Sequence, residues 1–206
     1  MIIQEHQIAT LEKRYRASMI NSLAGFRQVV LVATRNGQGK TNLAVFNSLI
    51  HLGADPGYYG LMSRPDGDDR HTLKNIRETG SYTCNYISSA YMAQAHQTSA
   101  RYPADQSEFD ACRFTPHYET GIHAPFVGES EVRIGLSFEE EILIKQTQTI
   151  LLIGKIVFLN LPDSIVENDG YVSLQKAGLI LCSGLDAYHT ASAPMRFPYA
   201  KTNRQA

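Results

Sequence analysis

Two short segments carry residue types that can do chemistry together. Thr41-Asn42-Leu43-Ala44-Val45-Phe46-Asn47 is a strand-like run of small and amide side chains, able to lie against a flat polar ring. Further along, Arg70-His71-Thr72-Leu73-Lys74-Asn75 opens a helix with a cation and a hydroxyl, the chemistry that holds a phosphate. Together they look like the two ends of a mononucleotide site.

A flavin mononucleotide (FMN) makes matching demands. Its phosphate takes backbone N–H groups at a helix N-terminus, together with a cation and hydroxyl donors. Arg70 and Thr72 fit, Asn75 follows one turn later, and Arg64 is a second cation within reach. Its isoalloxazine ring needs donors and acceptors along the pyrimidine edge and small residues where its face meets the backbone. Asn42, Ala44 and Asn47 suit that edge, and Phe46 suits the dimethylbenzene end. The same residues also read as an ordinary edge strand followed by a solvated arginine, because short polar segments have many structural uses. Spacing alone leaves both readings open.

The elements that must position these residues follow from pattern. Leu11, Tyr15, Met19 and Leu23 stand at helical spacing and predict a short N-terminal helix within residues 1–25, ending at Gly25. Gln28 to Thr34 is β-branched and apolar, Asn36-Gly37 supplies a hairpin turn, and a returning strand is expected from about Lys40 to Leu49. Asp55-Pro56-Gly57 breaks the chain before a strand from Tyr58 to Met62. Asp68 and Asp69 are placed to cap a helix from Arg70 to Thr79, with Gly80 at its stop. Ser81 to Ile87 is another strand. Residues 88–125 form a looser excursion with short helices at Tyr91–Ala100 and Asp105–Cys112, the sort of segment from which functional covers are drawn.

The second half is strongly β. Val132, Ile134, Leu136 and Phe138 alternate with polar or small residues, and Thr149 to Leu161 is a longer strand. Asn168-Asp169-Gly170 turns, Leu185 to His189 is a further short strand, and residues 190–206 form a C-terminal arm. Strands at hairpin spacing, with helices inserted rather than alternating, imply an antiparallel barrel within one domain spanning 1–206. A doubly wound parallel sheet would require regular βαβ alternation, which is missing.

Composition excludes several functions. A net charge of -1 without a run of Lys or Arg disfavours nucleic acid, whose binding demands a basic face. Residues 1–10 lack the pattern of a secretory leader, and apolar runs such as Ile150–Ile153 are far too short to span a bilayer. Cys84, Cys112 and Cys182 are odd in number and widely spaced, so a disulfide framework is disfavoured and a reduced, cytoplasmic setting is expected.

Gly37-Gln38-Gly39-Lys40-Thr41 mimics the end of a P-loop. The full motif requires glycine where Thr34 stands and a helix after Thr41, and the sequence has neither. His117 and His123 lack companions at metal-binding spacing, so no metal site is expected, and no Gly-x-Ser-x-Gly elbow points to acyl transfer.

The order of segments resembles the flavin reductase-like family of FMN-binding split barrels. The resemblance rests on Thr41 to Asn47 with Asp55-Pro56, and on Arg70 to Gly80 followed by Ser81-Tyr82-Thr83-Cys84-Asn85. Tyr102-Pro103, Ser107-Glu108-Phe109-Asp110, Leu152 to Val157 and Gly184-Leu185-Asp186-Ala187-Tyr188 complete it, over roughly residues 20–190. It implies a mainly β fold with inserted helices, an antiparallel split β-barrel that forms homodimers with FMN (or FAD in its place) near the subunit interface. It further implies that Asn42, Leu43, Ala44, Phe46 and Asn47 hold the ring, and that Arg64, Arg70, Thr72 and Asn75 hold the phosphate and ribityl end. The implied reaction is hydride transfer from NADH or NADPH to flavin N5, with free flavin, a ferric complex or a partner monooxygenase as acceptor. Because the cofactor carries that chemistry, no side chain is assigned as acid, base or nucleophile. Tyr188 and His189 are candidates for the nicotinamide side, against the plainer reading of a buried Tyr and a surface His. Val45 and Asn47 depart from the Ser or Thr common in relatives, and Tyr58-Tyr59 is more aromatic than usual. A non-catalytic flavin electron carrier and a flavin-less dimeric interaction module are the rival readings.

Overall fold

The computed structural model describes residues 1–67 and 69–202. Two helices, α1 (Glu5–Thr10) and α2 (Lys13–Leu23), precede the first strand. The single N-terminal helix expected from spacing is therefore broken: Leu11 adopts an extended C-cap conformation, and the Glu12 carboxylate accepts from Tyr15 N–H to start α2.

The strands are β1 (Arg27–Gln28), β2 (Val30–Arg35), β3 (Thr41–Phe46), β4 (Leu49–Ala54), β5 (Gly57–Ser63) and β6 (Ser81–Tyr86). They continue with β7 (Pro116–His117), β8 (Phe126–Val127), β9 (Val132–Ile144), β10 (Thr149–Asn160), β11 (Ile180–Ser183) and β12 (Ala187–Thr190). Seven form one antiparallel sheet in the order β3-β2-β6-β9-β10-β5-β4. The edge strands β3 and β4 are consecutive in the chain and joined only by Asn47 and Ser48. The sheet must therefore curl until its two edges meet at one end, leaving them unpaired beyond it. The result is a split barrel. Ser48 secures the junction, its Oγ donating to Met62 O at 2.9 Å and its carbonyl accepting from Met62 N at 3.3 Å. This junction also corrects the expected strand from Lys40 to Leu49: β3 ends at Phe46, and after Asn47 and Ser48 a second strand begins at Leu49.

β2 explains why its sequence is apolar without alternation. Val30 and Val32 face the barrel interior with Leu61, Leu136, Ile150 and Leu152. Val29, Leu31 and Ala33 face an outer cluster with Leu43, Phe109, Phe114 and Val127. Both faces are covered, so both are hydrophobic.

Helix α3 (His71–Thr79) packs Leu73 and Ile76 into the interior cluster and stops at Gly80, whose φ of 67° is left-handed. The N-cap is Arg70, without a side-chain cap bond; Asp69 instead pairs with the Arg70 guanidinium at 2.9 Å, and Asp68 lies outside the described residues. In the excursion, α4 (Met92–Gln97) and α5 (Glu108–Ala111) are shorter than expected and help cover the outer cluster. A three-stranded sheet, β1-β11-β12, adds a strand (β11) that the sequence reading did not include, and the strand expected from Leu185 begins at Ala187. The arm beyond β12 carries no regular element among its described residues. It is held where Arg196 pairs with Glu167 (2.6 Å) and Asp169 (2.5 Å) and lies over the Tyr171 ring. No helix of the described residues is long and apolar enough to cross a membrane.

Candidate functional site

A cavity of about 650 Å³ opens between β3, the start of α3, the chain at 98–102 and the β11–β12 turn. Seven of the sequence-predicted residues line it: Asn42, Ala44, Phe46, Asn47, Arg64, Arg70 and Thr72. The fold thus brings together the two segments that spacing had singled out.

The site has a polarity. At one end Asn42 Nδ2 donates to Thr72 Oγ1 at 2.9 Å, joining β3 to the first turn of α3. The first N–H groups of a helix have no intrahelical acceptor, so this turn, with Arg70 and the exposed Arg64 beside it, forms an electropositive end. Arg70 is steadied by Asp69 and by the Pro65 carbonyl, which accepts from its Nε at 3.2 Å. At the other end Asn47 Nδ2 donates to Gly184 O at 3.0 Å, tying the end of β3 to the β11–β12 turn.

Leu43 and Asn75 do not line the cavity. Leu43 is fully buried in the outer cluster, and Asn75 Nδ2 donates to Thr34 Oγ1 at 3.0 Å, fastening α3 to β2. Both support the wall from behind. The reason at Leu43 is strand alternation, which turns its side chain away from the cavity that Asn42 and Ala44 face.

Three features escaped the sequence reading. The first is main-chain. Leu43 N–H points off the free edge of β3 and is taken by Glu108 Oε2 at 3.0 Å. Alternate groups of an edge strand point the same way, so the main chain of Val45 presents the next outward donor and acceptor, at a residue that lines the cavity. The second is Glu108 itself, 6 % exposed, whose carboxyl burial pushes above the ordinary carboxylate range while the Leu43 N–H pulls it back. Its place in Ser107-Glu108-Phe109-Asp110, a carboxylate beside a core phenylalanine, was the available signal. The third is Arg27 and His96, which no local pattern announces and which form a far wall with Tyr188, one of the two residues considered for the nicotinamide side. His96 Nδ1 and Tyr188 Oη lie 2.9 Å apart, and burial pushes the Tyr188 phenol up to about 12. His189, the other residue considered for this side, turns away to Ser183 Oγ at 2.9 Å and to the Phe26 ring.

Four arginines (27, 64, 70 and 101) face three carboxylates (Asp69, Glu108 and Asp186) around the cavity. The balance suits an anionic ligand with a polar ring. Cys84, Cys112 and Cys182 are free and buried.

Comparison with known proteins gives the arrangement a family. Residues 26–176 match the model of the flavin reductase like domain. A crystal structure of a candidate flavin reductase with split barrel domain from Shewanella frigidimarina is 42% identical, with a TM-score of 0.93 over 97% of this chain and 100% of that one. Nitrilotriacetate monooxygenase component B from Bacillus cereus superposes with a TM-score of 0.83 at 19% identity, over 96% and 98% of the two chains. A 2-nitrobenzoate 2-nitroreductase of Pseudomonas fluorescens gives 0.82 at 19% identity over the whole of both chains. The split barrel, its cavity and the matched span agree, and the chain belongs to the flavin reductase-like family.

Proposed function

We propose that the protein is a cytoplasmic, homodimeric, FMN-binding flavin reductase that moves hydride from NADH or NADPH to flavin N5. The observation that carries this reading is one cavity joining the first turn of α3 to the free edge of β3. Its volume of about 650 Å³ lies within the range of cofactor sites.

The residues present fit the cofactor. Arg64, Arg70 and the Thr72 hydroxyl hold the phosphate with the first N–H groups of α3. The main chain of Val45 and the amides of Asn42 and Asn47 meet the polar edge of the ring. Ala44 offers just a methyl where the ring face approaches, and Phe46 packs the apolar end. Leu43 and Asn75 are assigned to positioning this wall rather than to contact. Bound flavin supplies the hydride chemistry, and the protein supplies orientation, charge and exclusion of water. His96 and Tyr188 stand on the open side, where a nicotinamide ring would enter. By similarity to the monooxygenase component, free flavin passed to a partner monooxygenase is the acceptor we favour.

Two measurements test the reading. Titration with FMN is expected to give bound flavin with its absorption band near ~450 nm. NADH or NADPH oxidation is then expected to rise with added FMN. Binding without any stimulation at any flavin concentration would leave an electron carrier and sink the reductase.

A further inference from the structure

Among the described residues, Arg27 is a cation without a counter-ion. It lies in β1, opposite Cys182 in the β11 register, and faces the cavity at the end away from α3. Its Nη2 donates to Gly184 O at 2.9 Å and to Asn21 O at 3.3 Å, and both acceptors are neutral carbonyls. Its Nε is buried with no hydrogen-bond partner. Among the described residues no carboxylate pairs with it; Asp186 and Glu108 line the same cavity but form no ion pair there. Gly184 O also accepts from Asn47, so the guanidinium converges on the same carbonyl as a residue of the ring end.

A half-buried guanidinium paired with no carboxylate holds an uncompensated charge, which an anion in the cavity would balance. The phosphate end, at Thr72 and Arg70, is the opposite one. What remains at the Arg27 end is charge that develops on the ring. Hydride from a reduced nicotinamide carries two electrons and one proton, and the nicotinamide leaves oxidised. A neutral flavin ring therefore gains one negative charge, shared along N1 and the C2 carbonyl.

We propose that Arg27 stabilises this charge and so sets the redox potential of the bound flavin. The proposal rests on the flavin reading above. Fixed positive charge placed where charge develops requires no reorganisation at the moment of reaction.

The test compares FMN-loaded wild type, Arg27→Gln and Arg27→Lys. Oxidised FMN is titrated onto each, and each midpoint potential is measured anaerobically against a reference dye. The ratio of reduced to oxidised flavin affinity is expected to fall about tenfold or more in Arg27→Gln, lowering the potential by about 30 mV per tenfold, while Arg27→Lys stays within about threefold of wild type. A ratio in Arg27→Gln within about twofold of wild type would overturn the proposal, as would an equal fall in the lysine variant, which would indicate packing rather than charge. Wild type itself gives a second reading that needs no variant. At mildly acidic pH it is expected to take up one proton per two electrons, and uptake of two would overturn the charge assignment. Wild type that binds no FMN fails the flavin reading itself, a result distinct from flavin that binds with an indifferent Arg27.

Discussion

Thr72 shows how a single hydroxyl serves two partners. Its oxygen accepts from Asn42 Nδ2, and its own O–H, with no acceptor among the described residues, can donate to a ligand in the cavity. Beside it Arg70 offers a charge-assisted bond, worth ~1.5–3 kcal/mol when made to an anion. We expect Arg70→Ala with Thr72→Val to weaken FMN binding by roughly ten- to a hundredfold, while riboflavin, which lacks the phosphate, binds as before. Fluorescence titration with both flavins checks this, and an equal loss for the two would refute the phosphate assignment. Glu108 makes a different, pH-dependent case. Burial raises its carboxyl, so the folded state binds that proton more tightly than the unfolded chain does. Its contribution to stability is therefore complete below the unfolded value and is lost as pH rises through the higher folded one. Glu108→Gln keeps an acceptor for Leu43 N–H without the titration. The melting temperature of the variant relative to wild type is expected to climb as pH is raised across that window, and a constant gap would contradict the assignment.

Elements were legible where local chemistry decides them and obscure where long-range pairing does. Helix α3 was plain from its glycine stop. Gly80 is left-handed, and an added Cβ would meet nothing within 4 Å, so Gly80→Ala carries a purely conformational cost. That cost is ~1–2 kcal/mol, a fall in melting temperature of roughly 2–4 °C per kcal/mol in a chain of this size. The first half of β9 was equally plain from its alternation, but its continuation to Ile144 was not. The reason is a bulge: Phe138 pairs with Gly154 and Glu140 with Ile153, so Glu139 is the extra residue and the inward parity flips beyond it. The breaks at Val29 and Asn47 likewise answer to strands far away in sequence. At the same bulge Tyr82 crosses over Gly154, where an added Cβ would collide with the phenol oxygen, an atom buried without a partner. Tyr82→Phe removes that unsatisfied group and is expected to be neutral or to stabilise by ~1 kcal/mol, whereas Gly154→Ala costs ~1–3 kcal/mol. Combined, the two should cost less than their sum, because the phenylalanine vacates the space the methyl needs. Urea unfolding of the four proteins measures the coupling, and strict additivity would refute the contact.

At the scale of the whole molecule, the site draws its walls from segments that meet only because the sheet closes on itself. Spacing exposed β3 and α3, since each carries its chemistry in one short run. Tyr188 was legible as a candidate for the nicotinamide side, whereas Arg27 was not, since only the β1-β11-β12 pairing brings it to the same cavity. The same closure decides what the outside of the barrel must do. Directly paired residues point to one side of a sheet, so Ile50, Gly60, Ile153, Leu151 and Ile142 share the outer face of β4, β5, β10 and β9. An added Cβ on Gly60 would lie 2.9 Å from a Leu151 methyl and 3.3 Å from one of Leu52, so those side chains roof the glycine together. Ile50, Leu52 and Ile142 remain 41–44 % exposed. This largely apolar face across four strands, with Glu140 opposite Ile153 as its charged member, has the character of an association surface, and a second copy is the occupant that the proposed homodimer supplies. Self-association through a two-fold axis places the same face on itself, so each charge introduced there enters the interface twice. We expect Leu52→Arg with Ile142→Arg to give a folded monomer, seen by sedimentation as a halving of mass with an unchanged circular-dichroism spectrum. A double variant that stays dimeric would move the interface to another face of the barrel, whereas a wild type that sediments as a monomer would remove the homodimer itself.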